Sequence, residues 1–184
     1  MSSAMRSMNP TGRGIEAILQ FHELPLGVFE EAIVYDLGCG MSDIGAELAT
    51  RGVKAAVTGF DQNPNAFRKY DRTGSSTRAV LAGLDDLPVE DLSADIVLAT
   101  YSLPMWGKDA QEIQGFFNEA QRAVNLGGLL SIFPLTAVRQ ASHCTEPREK
   151  RLGAAQASAR QIFQSLDWAT LRYDADAITA RRLE

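Results

Sequence analysis

The stretch VYDLGCGMSDIGAEL, residues 34–48, decides the fold of this chain. It runs from apolar residues ending at an acid, Asp36, through two closely spaced glycines, Gly38 and Gly40, into a helical pattern. A short apolar run that stops at a glycine turn is typical of a buried parallel strand. Glycine lets the backbone approach a ligand closely, and a helix N-terminus presents free N–H groups. The stretch therefore predicts a strand, a turn and a helix, with a ligand site at the turn.

The same alternation of strand and helix continues on both sides of this stretch. We predict strands over residues 32–38, 54–61, 77–83, 94–100, 129–135, 168–174 and 177–184. We predict helices over residues 14–21, from an N-cap at Ser42 to Arg51, from Asn63-Pro64 onward, over 109–124 and over 146–166. Such alternation indicates a doubly wound α/β domain with a mostly parallel sheet and right-handed crossovers. The last two strands, which follow one another directly, are expected to form a hairpin at the sheet edge.

The composition is that of an ordinary globular protein and excludes several classes. The 184 residues, with 45% hydrophobic and 22% charged, predict a single domain over 1–184, in which residues 1–13 are a flexible lead-in. A net charge of −5 does not favour a nucleic-acid partner. No apolar run approaches the roughly 20 residues that span a bilayer, so no membrane partner is expected. Cys39 and Cys144 are far apart and lack metal-ligand spacing, which predicts no metal site and a reducing, cytoplasmic location.

Acidic residues around the glycine turn separate two classes of cofactor. Asp61 ends the second predicted strand, where an acid can accept both hydrogen bonds of a ribose diol. A nicotinamide dinucleotide needs a third glycine at the position of Asp43, where a carboxylate would repel the pyrophosphate. Asp36 is a further misfit for that class, whereas a cationic sulfonium cofactor with an amino-acid end would be attracted by nearby acids. The residues favour the sulfonium cofactor. A nicotinamide oxidoreductase stays open as an alternative, but the sequence has no Tyr-x-x-x-Lys pair to support its hydride chemistry.

Five segments in order resemble one known family. They are DLGCG (36–40), FDQN (60–63), DDLP (85–88), ADIVLATYSLPMW (94–106) and EAQRAVNLGGLLSIFPL (119–135). Together they resemble the class I S-adenosylmethionine-dependent methyltransferases, and the chain looks like a small bacterial-type member. The resemblance covers residues 32–135 and implies a Rossmann-like, seven-stranded, mostly parallel sheet with an antiparallel last strand and helices on both faces.

The resemblance also implies which residues hold S-adenosylmethionine. Asp36, Gly38 and Gly40 would hold the methionine part and Asp61 the ribose. Ser42 stands where the family has its third glycine. The remaining implied contacts are Gln62 beside the adenine, Leu84 and Asp85 on its other face, and Thr100 and Tyr101 at the methyl-transfer site. The acid that the family often has after the third strand falls at Gly83 here, and Asp85 is the candidate to replace it.

The expected function is therefore methyl transfer from S-adenosylmethionine to an unidentified acceptor, a small molecule or a macromolecule. TYSLP stands in place of the Asn/Asp-Pro-Pro-Tyr/Phe run of amino-group methyltransferases acting on adenine or glutamine, which disfavours those acceptors. Tyr101 and His143 are the candidates for catalysis, and His143 is a better placed base than His22. A catalytically inactive S-adenosylmethionine-binding partner or sensor is the alternative, because no large insertion supplies a substrate lid.

Overall fold

The computed structural model describes residues 14–66, 77–103, 109–134, 159, 161–166, 168–173 and 177–183. The helices in these ranges are α1 (Ile15–His22), α2 (Ile44–Thr50) and α3 (Ala110–Ala123), with a 3₁₀ turn at Leu26–Phe29. The strands are β1 (Ile33–Leu37), β2 (Ala56–Asp61), β3 (Thr77–Leu81), β4 (Ala94–Thr100), β5 (Val124–Phe133), β6 (Trp168–Tyr173) and β7 (Ile178–Arg182).

The described strands form one seven-stranded sheet in the order β3-β2-β1-β4-β5-β7-β6. Strands β1 to β5 are mutually parallel, and β7 is antiparallel to both of its neighbours. This confirms the predicted mostly parallel sheet with an antiparallel last strand. The predicted final hairpin forms at one edge of the sheet. Of its two strands, β6 is the edge strand and β7 lies between β5 and β6. The strand order reverses between β1 and β4, which is where α/β sheets of this type bind ligands.

Apolar side chains cover both faces of the sheet. On one face α3 buries Ile113, Phe116, Phe117 and Ala120 completely, on the helical spacing that the sequence predicts. On the other face α1 and α2 pack together, with Ile15, Ile18, Ile44 and Leu48 in the second core cluster. The sheet is therefore enclosed between two layers, as the sequence pattern indicates.

Two predicted boundaries were wrong for reasons that the structure shows, and most other element ends differ by one or two residues. The N-cap of α2 is Asp43, whose Oδ1 accepts a hydrogen bond from the Ala46 N–H at 3.1 Å, and not Ser42, which is buried before the helix. Strand β5 starts at Val124, directly after α3, rather than at residue 129, because Val124 already pairs with Ala94. Gly127, with φ of 75°, lies inside this strand, where the register of the β4–β5 pair shifts.

The polar segment after β2 and the predicted long helix are described only in part. Residues 64–66 form a 3₁₀ turn, and the Asn63 side chain accepts the Asn65 N–H at 3.0 Å, as an N-cap would. Of the helix predicted over 146–166, Ala159 and residues 161–166 are described; Ala159 and residues 161–164 are helical, and residues 165–166 form a turn. Among the residues that the structure describes, no helix combines the length and the apolar character needed to cross a bilayer.

A buried histidine attaches α1 to the sheet. The Nε2 atom of His22 lies 2.9 Å from Thr100 Oγ1 on β4, and its Nδ1 atom lies 2.8 Å from Ser131 Oγ on β5. The Ser131 hydroxyl continues to Thr179 Oγ1 on β7 at 2.8 Å. Burial, with a smaller contribution from the charge of Arg172, lowers the pKa of His22 to about 3. The ring is therefore neutral at physiological pH and links α1 to three strands.

Replacing His22 with Leu fills a similar volume but leaves the hydroxyls of Thr100 and Ser131 without their hydrogen bonds to the ring. Since an unpaired buried polar group costs about 1–3 kcal/mol, we expect the free energy of unfolding to fall by about 2–4 kcal/mol. Urea denaturation monitored by circular dichroism measures this loss. The exposed Gln20→Ala on the same helix is the matched control and should change stability by less than about 0.5 kcal/mol. Equal losses for the two variants would contradict the role given to His22.

Candidate functional site

A cavity of about 390 Å³ opens at the carboxyl ends of β1, β2 and β4. Its volume lies in the range of small-molecule sites, and its place is the switch point of the sheet. The residues that line it are Gly38, Gly40, Met41, Asp61, Gln62, Asn63, Asn65, Ala66, Leu84, Asp85, Tyr101, Ser102, Leu103 and Glu112.

The structure brings most of the predicted site residues together in this cavity. Those that line it are Gly38, Gly40, Asp61, Gln62, Leu84, Asp85 and Tyr101. Asp36, Ser42 and Thr100 are buried and lie outside the lining. The Thr100 hydroxyl faces His22 instead, and the two residues after it, Tyr101 and Ser102, reach the cavity. His143, the predicted base, falls outside the described residues.

The glycine turn is tightly placed at the sheet end. Gly38 and Gly40 have φ of 74° and 56°, in the left-handed region that glycine tolerates at no steric cost. A Cβ atom on Gly38 would fall inside the side chain of Ser102, so the turn contacts the end of β4. The N–H groups of Gly38 and Cys39 both donate to the Phe60 carbonyl, at 2.7 and 3.1 Å. The turn thus needs glycine for conformation and for space.

Asp61 joins the turn after β1 to the loop after β2. Its Oδ2 accepts the Gly40 N–H at 2.9 Å and its Oδ1 accepts the Asn63 N–H at 2.8 Å. A carboxylate has about four acceptor positions, so two remain for a ligand. Asp61 therefore both shapes the cavity and offers it hydrogen-bond acceptors.

Asp36 lies beneath the turn, on the interior strand β1, and is 3% exposed. Burial, and then the negative charge of Asp61, raise the pKa of Asp36 to about 7. The carboxyl group is protonated below that pH and ionised above it. A cation bound in the cavity would favour the ionised form, because opposite charges stabilise each other most in a poorly solvated site.

An aromatic cluster borders the cavity beyond β4 and β5. Phe21 of α1 stacks on Phe133 with ring centroids 4.6 Å apart, and Tyr101 meets both rings edge-on at 5.9 and 5.6 Å. Tyr101 has φ of 53°, a conformation that costs energy for a bulky residue, and its N–H donates to the Phe133 carbonyl at 2.6 Å. The bond to β5 holds the Tyr101 ring at the cavity. His22 offers no base here, since both ring nitrogens are engaged.

Several lining residues were not found by sequence reasoning. They are Met41, Asn63, Asn65, Ala66, Ser102, Leu103 and Glu112. A polar run after a strand, such as DQNPN, could have indicated Asn63 and Asn65. Nothing in the sequence distinguishes Glu112 from any acid in the first turn of a helix.

The electrostatic character of the cavity is acidic. Asp61, Asp85 and Glu112 line it, and no lysine or arginine stands among the described lining residues. The N-terminus of α2 is capped by its own Asp43 and so already has an anion beside its free N–H groups. This arrangement suits a cationic ligand and disfavours a pyrophosphate.

A family model and several known proteins are similar to this chain. The family model described as a methyltransferase domain matches residues 34–128. Ribosomal RNA-processing protein 8 of Caenorhabditis elegans is 29% identical over 108 residues, which are 59% of this chain and 26% of that protein. The chain thus spans about a quarter of the length of the curated relatives it matches.

Two solved structures share the fold along most of their length. A SAM-dependent methyltransferase from Methanosarcina mazei has a TM-score of 0.66 at 19% identity, over 84% of this chain and 93% of that chain. N-methyltransferase NodS from Bradyrhizobium japonicum has a TM-score of 0.66 at 17% identity, over 92% and 96% of the two chains.

The raised pKa of Asp36 predicts a pH-dependent stability effect. The folded pKa, about 7, exceeds the unfolded value near 3.8, so this group stabilises the protein fully below pH 4 and loses that contribution as pH rises through 7. Asp36→Asn removes the ionisation. We therefore expect the variant's melting temperature to exceed that of the wild type at pH 8 and to lose this advantage at pH 4. Calorimetry at both pH values measures it, and a difference that does not vary with pH would contradict the shift.

Proposed function

Because this chain belongs to the methyltransferase domain family, we propose that it transfers methyl groups from S-adenosylmethionine bound in the cavity at the ends of β1, β2 and β4. The observation that carries the proposal is the link between the turn at Gly38–Gly40 and Asp61. At the switch point of the sheet, this link places a glycine backbone that a ligand can approach closely beside a carboxylate with two free acceptor positions. The acidic lining supports a cofactor with two cationic groups, an ammonium and a sulfonium.

The described residues suit each part of this cofactor. Gly38 and Gly40 would lie against the methionine part, and Asp36 beneath them would supply a counter-charge once ionised. The two free acceptor positions of Asp61 match a ribose diol. Gln62 would lie beside the adenine, with Leu84 and Asp85 on its other side, and the buried Ser42 would support the turn from behind.

Bound S-adenosylmethionine supplies a methyl group activated by its sulfonium. The chain's own contribution is mainly positioning, because an in-line transfer depends on the alignment of nucleophile, methyl group and sulfur. Tyr101, held in place by the Phe133 carbonyl and the aromatic cluster, would form the wall beside the reacting atoms, with Thr100 fixed behind it by His22. A base is needed only for an acceptor that must lose a proton.

Titration calorimetry with S-adenosylmethionine and S-adenosylhomocysteine tests the proposal. We expect both to bind the wild-type chain, and Asp61→Ala to weaken binding by about tenfold or more, because it removes charged acceptors for the ribose. Failure of both ligands to bind at high micromolar concentration would refute the cofactor assignment.

Asp95→Ala is the matched control for Asp61→Ala. Asp95 also accepts two hydrogen bonds, from the Ile33 N–H and from Asn125 Nδ2, each at 2.8 Å, but at the opposite end of the sheet. Its loss should lower stability while cofactor affinity stays within about twofold. If the two alanine variants bind the cofactor equally well, the ribose does not lie at Asp61.

Methyl transfer itself is tested with S-adenosylmethionine carrying a labelled methyl group. The screen should include small amines and phenols, and also RNA, because one relative is named for ribosomal RNA processing. Label transferred to any acceptor supports the enzyme. Binding without transfer across the whole screen supports the inactive binding protein instead.

A further inference from the structure

Three aromatic rings meet beside the cavity, where β4 and β5 end. The rings of Phe21 and Phe133 are stacked, with centroids 4.6 Å apart and planes 5° from parallel. The Tyr101 centroid lies 5.9 Å from that of Phe21 and 5.6 Å from that of Phe133, at interplanar angles of 65° and 69°. Because these two distances are nearly equal, Tyr101 lies beside the stacked pair and not on top of it. The pair therefore supports the one ring of the three that lines the cavity.

The backbone around Tyr101 holds its ring at this position. Its φ of 53° is costly for a side chain of this size, and such strain persists only where neighbouring contacts enforce it. The Tyr101 N–H donates to the Phe133 carbonyl at 2.6 Å, directly after the paired residues Thr100 and Phe133. The next residue, Ser102, is buried against Gly38, where a Cβ atom would meet its side chain. Contacts on both sides thus specify the place of the Tyr101 ring.

Phe21 is fixed by contacts that reach across the sheet. Arg172 on the edge strand β6 donates to the Phe21 carbonyl at 3.1 Å and pairs with Glu23 at 3.1 Å. The adjacent His22 is hydrogen-bonded to β4 and β5. The last turn of α1 is therefore held from two directions, and it keeps the Phe21 ring against Phe133.

The charges around the cavity restrict what can bind against this aromatic wall. Asp61, Asp85 and Glu112 line the cavity, and the described lining includes no lysine, arginine or histidine. The charge of Arg172, at the end of α1, is paired with Glu23. A phosphate or carboxylate on the acceptor would therefore lose its hydration without gaining a counter-charge.

We propose that the wall of Tyr101, Phe21 and Phe133 binds an uncharged, planar aromatic acceptor whose nucleophilic oxygen or nitrogen is attached to the ring. This inference rests on the proposed function and names the class of its acceptor. A planar ring gains ring–ring attraction beyond the area that it buries, whereas a puckered ring of the same size does not. Stacking also restricts the acceptor to one plane, which favours alignment of the nucleophile with the methyl group and the sulfur.

The transfer to such an acceptor balances without a further reactant. A lone pair on the ring-bound oxygen or nitrogen forms the bond to the methyl carbon while the bond from that carbon to sulfur breaks. Sulfur keeps the electron pair of the broken bond and becomes a neutral thioether, and the proton of the nucleophile passes to water.

Calorimetry on the chain saturated with S-adenosylhomocysteine tests the acceptor class with three probes of similar size. The probe 2-naphthol is planar and uncharged at neutral pH, decahydro-2-naphthol is puckered and uncharged, and 6-hydroxy-2-naphthoate is planar and anionic. We expect 2-naphthol to bind more tightly than decahydro-2-naphthol by about fivefold or more, because only the planar ring stacks. We expect it to bind more tightly than the anion by about tenfold or more, because the cavity offers no counter-charge.

Variants of the wall show whether it causes the preference for the planar probe. Tyr101→Leu removes the ring and should reduce the ratio of the two uncharged probes' Kd values to near one, whereas Tyr101→Phe should keep the wild-type ratio. Phe21→Leu should lower the ratio by about twofold or more, because Tyr101 loses part of its support, and it carries the test if Tyr101→Leu does not fold. The exposed neighbour on α1 provides the matched control, and Gln20→Ala should leave the ratio unchanged.

The outcomes separate this inference from the proposed function. If S-adenosylhomocysteine does not bind the wild-type chain, the proposed function fails and the acceptor class fails with it. If it binds, but 2-naphthol is not preferred over the puckered probe or over the anion, the acceptor class alone is wrong. If Tyr101→Leu and Phe21→Leu weaken all three probes equally, the aromatic wall does not select the acceptor and its assignment is wrong.

Discussion

The attachment of the turn after β1 to the end of β2 is the constraint on which the cavity depends. Two successive N–H groups, of Gly38 and Cys39, share the Phe60 carbonyl, and the next residue, Gly40, donates its own N–H to Asp61. Because adjacent parallel strands end together, these bonds hold a backbone turn over the sheet end, where it lines the cavity. The helix α2 and its cap at Asp43 follow from this turn, and the buried Asp36 lies beneath it on β1.

The buried ionisable groups on either side of the sheet end respond to pH in opposite senses. Burial keeps His22 neutral and lowers its pKa to about 3, whereas burial and a like charge keep Asp36 protonated up to about 7. As the pH falls below 6.5, His22 lowers folding stability, because the unfolded chain binds its proton first. As the pH rises above about 4, Asp36 lowers folding stability, because the unfolded chain releases its proton first. Between about pH 4 and pH 6.5, the two groups therefore change folding stability in opposite directions as the pH changes. Near neutrality His22 is therefore uncharged, whereas Asp36 is close to its pKa, so a cation entering the cavity would shift it towards the ionised form.

Sequence patterns predicted the periodic and local features well. The strand β4 matches its predicted range, 94–100, and the buried face of α3 follows directly from apolar spacing. Features that depend on contacts between residues far apart in the chain could not be predicted from the sequence. The start of β5 at Val124 follows from its pairing with Ala94, and the place of Thr100 follows from His22, 78 residues earlier in the chain. A Cβ atom at Gly83 or Gly115 would lie 2.8 or 2.9 Å from the Asp85 side chain. A glycine in a sequence does not reveal which side chain occupies the room that it leaves.

The position of β7 between β5 and β6 has a consequence for synthesis on the ribosome. The chain makes β5 well before its antiparallel neighbour, because β7, which hydrogen-bonds to both β5 and β6, is the last of the described strands to emerge. Until Ile178–Arg182 has left the exit tunnel, the outer edge of β5 is an unpaired nascent edge open to aggregation or to chaperones. The hydroxyl chain from His22 ends on this same strand, at Thr179. The hydrogen-bonded chain that begins at His22 is thus complete only after β7 has been made.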